Sequence, residues 1–293
     1  MVLPVSSRNN SNGGEAASAA LAPVAQTVPS LVEEHVLYQI FNAPIRPYPY
    51  PHIYVENVFP DDFYAQLRAH WPDGPAFTPL ADTGRVSKGA YPERFVLALT
   101  PADLARLVAD RRQFWNEFSS WFTGGRFLLA MIEKFKPYVI GRLGASCDRC
   151  TFASDALIVR DLTNYSIGPH TDAPHRLVTM LFYCPDDDSR KHLGTSIYLP
   201  LEPDFRCKGG PHYAFKDFKK VTTMPYRRNT LFAFFKNDIS FHGVEPIPDQ
   251  NIQRDLMLYD ARVFEPPEEA PAPSGRVSGV GFGMLKRMFG GWG

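Results

Sequence analysis

Two histidines and one aspartate stand at a spacing that could hold a metal ion. His170 and Asp172 are separated by one residue, and His242 follows much later in the chain. Two imidazoles and one carboxylate can occupy one face of an octahedral metal, which leaves three positions open for a bidentate cosubstrate and for O2. Neutral imidazole suits ferrous iron, and one carboxylate offsets part of its charge. These residue types therefore indicate an open mononuclear iron(II) site.

The residues around the first pair decide whether it is significant, because a chain with 8 histidines can contain a His-x-Asp pair by chance. Residues 155–160 are rich in β-branched side chains and predict a strand, and residues 177–183 predict a second. Between them, the Ile-Gly-Pro sequence at 167–169 is expected to break the first strand and to deliver His170 from a loop. A strand–loop–strand frame of this kind would hold the ligand pair rigidly.

The distal part of the chain supplies a candidate anchor for an anionic cosubstrate. Three apolar or alternating runs predict strands, at residues 230–235, 239–244 and 254–259. On a strand, Arg254, Leu256 and Leu258 point the same way, which places a guanidinium among apolar side chains. A buried arginine needs an anionic partner, and a dicarboxylate would supply one through a bidentate contact. Arg262, near the end of the same run, is the rival anchor.

The stretch from about residue 47 to residue 263 resembles the iron(II)/2-oxoglutarate dioxygenase superfamily, and specifically its prolyl 4-hydroxylase-like branch. The resemblance is carried by residues 165–172 (YSIGPHTD), 179–183, 193–195, 242–244 and Arg254. It implies a mainly β fold, in which a double-stranded β-helix (a jelly-roll, cupin-like barrel) is supported by N-terminal α-helices.

The same resemblance implies a set of site residues and cofactors. His170, Asp172 and His242 would bind Fe(II), and Arg254 would bind the distal carboxylate of 2-oxoglutarate. Tyr183 matches a tyrosine that hydrogen-bonds the same carboxylate in some relatives. O2 is the further cosubstrate, and ascorbate is an additional candidate cofactor.

The activity implied is hydroxylation of an unactivated C–H bond with release of succinate and CO2. Asp172 argues against halogenation, because related halogenases carry a small residue at that position. Two alternative functions remain compatible with the sequence: a cupin-type metal-dependent oxygenase that does not use 2-oxoglutarate, and a non-catalytic jelly-roll binding module.

The substrate is not determined by the sequence. Arg160, Tyr165, His175 and Arg176 are candidates for the substrate mouth because they lie at or near the ends of the predicted strands. A small molecule, a glycan and a protein side chain all remain candidate substrates.

Composition narrows the remaining functional classes. The formal net charge is +0, from 31 basic and 31 acidic residues, so no global charge draws the chain to nucleic acid. No apolar run approaches the length of a membrane span, and no secretory leader is recognisable, so we expect a cytoplasmic protein. The lone Cys147-x-x-Cys150 pair is interpreted as two thiols that form neither a zinc site nor a redox site.

The chain is expected to contain one folded domain between two tails. Residues 1–30 are rich in Ser, Asn, Gly and Ala and predict a disordered tail, and residues 266–293 predict a flexible one. The dioxygenase domain is expected at residues 31–265, with helical support over about 31–145 and the barrel over about 146–265. Helices are predicted at residues 31–41, 61–71, 101–112, 114–122 and 127–138.

Overall fold

The computed structural model describes residues 30–247 and 250–264. The predicted C-terminal tail, and the N-terminal tail apart from Ser30, lie outside the described residues. Within them no helix is long and apolar enough to cross a membrane.

The described part of the chain is dominated by antiparallel strands in two sheets. The strands are β1 (His52–Glu56), β2 (Thr78–Pro79), β3 (Arg94–Ala98), β4 (Thr151–Leu162), β5 (Ile167–His170), β6 (Arg176–Tyr183), β7 (Thr195–Pro200), β8 (Phe218–Met224), β9 (Thr230–Phe235), β10 (His242–Val244) and β11 (Gln253–Phe264). The larger sheet has the order β1-β9-β6-β11-β4-β3-β2, and the smaller sheet has the order β5-β10-β7-β8.

The strand order confirms the predicted fold class. Eight consecutive strands, β4 to β11, divide equally between the two sheets, and the chain passes repeatedly from one sheet to the other. The larger sheet contributes the order β9-β6-β11-β4 and the smaller one β5-β10-β7-β8. This two-sheet arrangement of eight antiparallel strands is the jelly roll, or double-stranded β-helix. The strands β1, β2 and β3 extend its larger sheet at both edges.

In the described residues, six α-helices precede the jelly roll and cover the outer face of the larger sheet. They are α1 (Leu31–Asn42), α2 (Asp61–Ala69), α3 (Pro101–Leu104), α4 (Ala109–Phe122), α5 (Gly125–Lys134) and α6 (Lys136–Leu143). Phe122 of α4 packs edge-on against Phe182 of β6 and Tyr259 of β11. Because side chains alternate along a strand, the neighbours of Phe182 and Tyr259 face the other way, into the interior between the sheets.

Two of the predicted helices are interrupted in the structure, and each interruption has a local cause. The helix predicted at 101–112 is interrupted after Leu104. Leu107 is buried in the core, and Val108 has an extended backbone and is the N-cap residue of the next helix, α4. The run at 127–138 divides at Phe135, since Pro137 lacks the N–H group needed to continue a helix and instead occupies the first turn of α6.

The prediction that His170 would be delivered from a loop is also wrong. Residues 167–170 form β5, an edge strand of the smaller sheet that pairs with β10. Pro169 has no N–H group to donate, and an edge strand can accommodate it because one side of that strand has no neighbouring strand to pair with. The actual break lies earlier, at the turn where Asn164 has a φ of 72°.

Candidate metal centre and its cavity

The two jelly-roll strands β5 and β10 bring the predicted metal ligands together. His170 and His242 are direct partners in the antiparallel register, and their ring centroids lie 4.3 Å apart. Asp172 follows β5 by two residues, and its Oδ1 atom lies 3.9 Å from Nε2 of His242. One possible ligand atom from each of the three residues lies within 4.8 Å of the others, and all three residues are buried. This spacing could hold one metal ion.

Hydrogen bonds to the backbone orient both imidazole rings. Nδ1 of His170 lies 2.9 Å from the carbonyl oxygen of Gly168, and Nδ1 of His242 lies 3.0 Å from that of Ser240. Because a carbonyl oxygen can only accept, each Nδ1 carries the proton and each Nε2 keeps a free lone pair. Such contacts commonly fix the tautomer of metal-binding histidines.

The third candidate ligand, Asp172, is held by two neighbours. Oδ1 accepts a hydrogen bond from Nη1 of Arg176 at 2.9 Å, and Oδ2 accepts one from Oγ1 of Thr179 at 2.7 Å. Burial alone would raise the pKa of Asp172, but the Arg176 guanidinium and the hydrogen bond from Thr179 hold it below its ordinary value. The carboxylate is therefore ionised and fixed in direction.

Burial also sets the charge state of the histidines. It lowers the pKa of His170 well below the ordinary value, with a further contribution from His242, and it lowers the pKa of His242. Both rings are therefore neutral near neutral pH, which is the form that binds a metal.

The three residues line a cavity of about 500 Å³ between the two sheets. Its middle section is apolar, with Leu157, Val159, Leu181, Leu256 and Leu258 on the wall. A volume of this size is typical of sites for small ligands.

One end of the cavity is closed and carries a buried arginine. The side chain of Arg254 is 1% exposed, and its Nη1 lies 2.7 Å from Oδ2 of Asp161, which is 0% exposed. Nε donates to the carbonyl oxygen of Leu193 at 2.6 Å, and Nη2 lies 3.4 Å from Oγ1 of Thr195. A second arginine, Arg94, makes two hydrogen bonds to the same Asp161 carboxylate, at 2.6 and 2.9 Å. Two guanidinium groups thus share one carboxylate.

Tyr165 adds an unpartnered hydroxyl group at this closed end. Its side chain lines the cavity, its ring lies 4.2 Å from the guanidinium carbon of Arg94, and its hydroxyl oxygen is buried without a hydrogen-bond partner. A buried polar group without a partner is costly unless a ligand supplies one.

The other end of the cavity is open to solvent and is also cationic. Arg85, Arg176 and Arg262 line it, and their side chains are 32%, 25% and 25% exposed. Asp155 pairs with both Arg85 and Arg262, and Asp260 lies 3.1 Å from Arg176. Burial raises the pKa of Asp260 to about 6 against the opposing effect of Arg176.

Two of the predicted site residues do not reach the cavity wall. Arg160 lies on the opposite face of β4 from Asp161, where its Nε bonds Asp255 at 2.9 Å and its guanidinium covers the Phe77 ring. The prediction failed because β4 continues beyond Arg160, so this residue occupies the outward position. Tyr183 lies behind Arg254, with its hydroxyl accepting a hydrogen bond from the Thr195 N–H group at 3.0 Å.

The other three predicted substrate residues do line the cavity, in different places. His175 is exposed at the open end, as expected for a mouth residue. Arg176 bonds the candidate metal ligand Asp172, so it supports the metal centre as well as the mouth. Tyr165 is fully buried at the closed end rather than at the mouth.

Sequence reasoning missed a third histidine beside the metal centre. His212 lies on the segment of residues 201–217 between β7 and β8, and its ring centroid is 4.5 Å from that of His170. The same segment packs tightly against the backbone of Asp172, one of the three candidate metal ligands. A Cβ atom on Gly209, whose φ is +125°, would lie 2.1 Å from the carbonyl oxygen of Asp172. The glycine pair at 209–210 is the sequence signal for this close approach.

Arg94 and Asp161 were also missed. Arg94 comes from β3, which adds to the larger sheet from outside the jelly roll, and it pairs in register with Asp161. Nothing in the local sequence around Arg94 or Asp161 indicates that these two charged residues pair across neighbouring strands.

No model of a known protein family matches the chain, and no curated protein matches it. Several solved structures are similar. A prolyl-4-hydroxylase from Pseudomonas putida is 14% identical, with 78% of this chain and 96% of that chain covered and a TM-score of 0.39. The α-ketoglutarate-dependent epimerase SnoN from nogalamycin biosynthesis is 13% identical, with 83% and 91% covered and a TM-score of 0.41. HygX from Streptomyces hygroscopicus, with nickel and 2-oxoglutarate bound, is 13% identical, with 86% and 96% covered and a TM-score of 0.39. The fold assignment rests on the strand order of this chain, and the site on its own geometry.

Proposed function

We propose that the protein is an Fe(II)- and 2-oxoglutarate-dependent dioxygenase that hydroxylates a C–H bond. The observation that carries this proposal is that the metal centre and the buried arginine line the same cavity. Arg254 contacts Thr195 at one point of β7, and His242 pairs with Ile197, two residues further along that strand. Two residues of strand span about 7 Å. This separation suits a five-carbon dicarboxylate that reaches from the metal to the guanidinium.

The charge at the closed end fits the distal carboxylate of such a molecule. Arg94 and Arg254 face only the single carboxylate of Asp161, so one positive charge remains without an acidic partner among these three groups. The buried hydroxyl group of Tyr165 has no partner and can donate a hydrogen bond. A carboxylate bound here would satisfy both the excess charge and this hydroxyl group.

The metal centre fits iron(II). His170 and His242 would hold the ion through Nε2, the nitrogen that keeps a lone pair, and Asp172 would hold it through its carboxylate. Two imidazoles and one carboxylate are the donor set that suits ferrous iron with open positions for a cosubstrate. Bound ferrous ion and 2-oxoglutarate together supply O2-dependent oxidation of a C–H bond to an alcohol, with 2-oxoglutarate converted to succinate and CO2.

The remaining residues of the cavity position the reactants and exclude water. Thr179 and Arg176 fix the direction of the Asp172 carboxylate. Asp161, Leu193 and Thr195 fix Arg254, so its guanidinium needs little reorganisation to bind an anion. The apolar middle section keeps bulk water from the reacting carbon.

Conversion of 2-oxoglutarate to succinate tests the proposal. Purified protein with ferrous iron in air should form succinate slowly even without a primary substrate, and replacement of iron by zinc should stop the reaction. Oxygen consumption without succinate would instead identify an oxygenase that does not use 2-oxoglutarate, and neither oxygen consumption nor affinity for 2-oxoglutarate would identify a binding module.

A further inference from the structure

The open end of the cavity carries a cluster of arginines that the metal centre and the cosubstrate do not use. Arg254 and Arg262 lie on the same face of β11, eight residues or about 26 Å apart along the strand. The proposed cosubstrate therefore occupies the Arg254 end and cannot also reach Arg262. The apolar pair Leu256 and Leu258 separates the two charged ends.

Positive charge exceeds negative charge at the open end. Arg85, Arg176 and Arg262 face the carboxylates of Asp155 and Asp260, because the remaining neighbour, Asp172, is committed to the metal centre. A divalent metal ion bound beside this cluster would add further positive charge. An anion is therefore the ligand that this end favours.

Arg85 and Arg262 can still donate hydrogen bonds to a ligand. Arg176 is fixed between Asp172 and Asp260. Arg85 comes from an exposed segment before β3 and contacts Asp155 alone. Arg262 shares that aspartate through Nη2, which also lies 4.0 Å from Asp260, and its buried Nε atom has no hydrogen-bond partner. Asp155 and Asp260 are thus shared among three guanidinium groups, and a bound anion would supply the missing negative charge.

We propose that the primary substrate is a small molecule with a carboxylate or phosphate group, and that Arg85 and Arg262 bind this group at the open end of the cavity. The apolar wall formed by Leu157, Leu181 and Leu258 then receives the carbon skeleton beside the metal centre. This inference rests on the proposed function, which assigns Arg254 to the cosubstrate.

Anion binding to the zinc-loaded protein tests this inference, because zinc holds the metal centre without turnover. Inorganic phosphate and acetate would be titrated by calorimetry in the presence of saturating 2-oxoglutarate. We expect at least one of these anions to bind, and the stronger one identifies the chemical class of the substrate. R85Q and R262Q should each weaken this binding by about tenfold or more.

Matched variants keep the result interpretable. R227Q removes an arginine that pairs with Asp188 and Glu56 away from the cavity, and it should leave anion binding unchanged. R262K retains the charge and should retain part of the binding, which separates loss of a contact from loss of the fold. The inference is overturned if neither anion binds, or if both bind the wild type and the R85Q and R262Q variants equally.

The 2-oxoglutarate titration separates this inference from the proposed function. R85Q and R262Q should bind 2-oxoglutarate like the wild type, whereas R254Q should not. If the wild type itself fails to bind 2-oxoglutarate, the proposed function fails, and the phosphate and acetate titrations of the protein with zinc alone still decide whether the open end binds anions.

Discussion

Arg254 and Asp161 form an ion pair that is sealed from solvent at the closed end of the cavity, with Nη1 and Oδ2 2.7 Å apart. Direct pairing of β4 with β11 places the two residues opposite each other. Arg94 approaches the same carboxylate from β3 on the other side of β4. Asp161 therefore holds two arginines in place beside the proposed cosubstrate.

Replacement of Asp161 should destabilise the protein strongly. D161N leaves two guanidinium groups without their shared carboxylate, and breaking a buried pair of this kind costs about 3–5 kcal/mol. Urea denaturation should show this loss in the free energy of unfolding. D186N removes a surface partner of Arg68 and should cost less than about 1 kcal/mol. Equal effects of the two variants would contradict the structural role of Asp161.

Thr179 should control metal affinity without touching the metal. T179V removes the hydroxyl group that bonds Oδ2 of Asp172, and loss of a hydrogen bond to a metal ligand typically weakens metal binding about 10- to 100-fold. T195V is the matched control, since Thr195 contacts Arg254 and not the metal centre. Cobalt titration should distinguish them, and equal cobalt affinity of T179V and wild type would exclude this role of Thr179.

Arg254 should control the affinity for 2-oxoglutarate but not for iron. R254K keeps the positive charge but loses the planar, two-donor geometry, so it should bind 2-oxoglutarate about tenfold or more weakly. Its iron affinity should stay close to that of the wild type, because Arg254 contacts none of the three candidate ligands. An unchanged 2-oxoglutarate requirement would show that the anchor lies elsewhere.

Tyr165 should affect stability and cosubstrate binding in opposite directions. Y165F removes a buried hydroxyl group that has no partner in the free protein, so the variant should be as stable as the wild type or more stable by about 1 kcal/mol. The same change removes a donor to the proposed distal carboxylate and should weaken 2-oxoglutarate binding several-fold. Thermal unfolding with and without 2-oxoglutarate measures both effects. A Y165F variant with full 2-oxoglutarate affinity would place the cosubstrate away from this hydroxyl group.

The grouping of the three candidate metal ligands could be predicted from the sequence, because two of them form a short local pattern and the third follows a strand-like run. His170 and Asp172 stand two residues apart between runs of strand-forming side chains, and His242 follows another such run. The jelly roll brings these positions together through the pairing of β5 with β10. Residue type and spacing were therefore sufficient to select three side chains that the fold brings together, although the short strand β5 was mistaken for a loop.

Only part of the cavity wall could be predicted, because the rest depends on strand register and on contacts between distant segments. Arg160 and Asp161 are adjacent in the chain, and only the continuation of β4 to Leu162 decides which of them faces the interior. Arg94 reaches Asp161 across β3 and β4, a contact between residues 67 positions apart. His212 approaches His170 from a long connecting segment, whose glycine pair at 209–210 indicates a close backbone approach but not which side chain it brings to the site.

The most direct test is an anaerobic titration of the purified protein with ferrous iron and 2-oxoglutarate, followed by visible absorption. Chelation of iron by 2-oxoglutarate gives a metal-to-ligand charge-transfer band, and we predict that this band appears in the wild type and in H175A. It should be absent in H170A, D172A and H242A, which lack a metal ligand. A folded, iron-loaded wild-type protein that shows no band would contradict the proposed function.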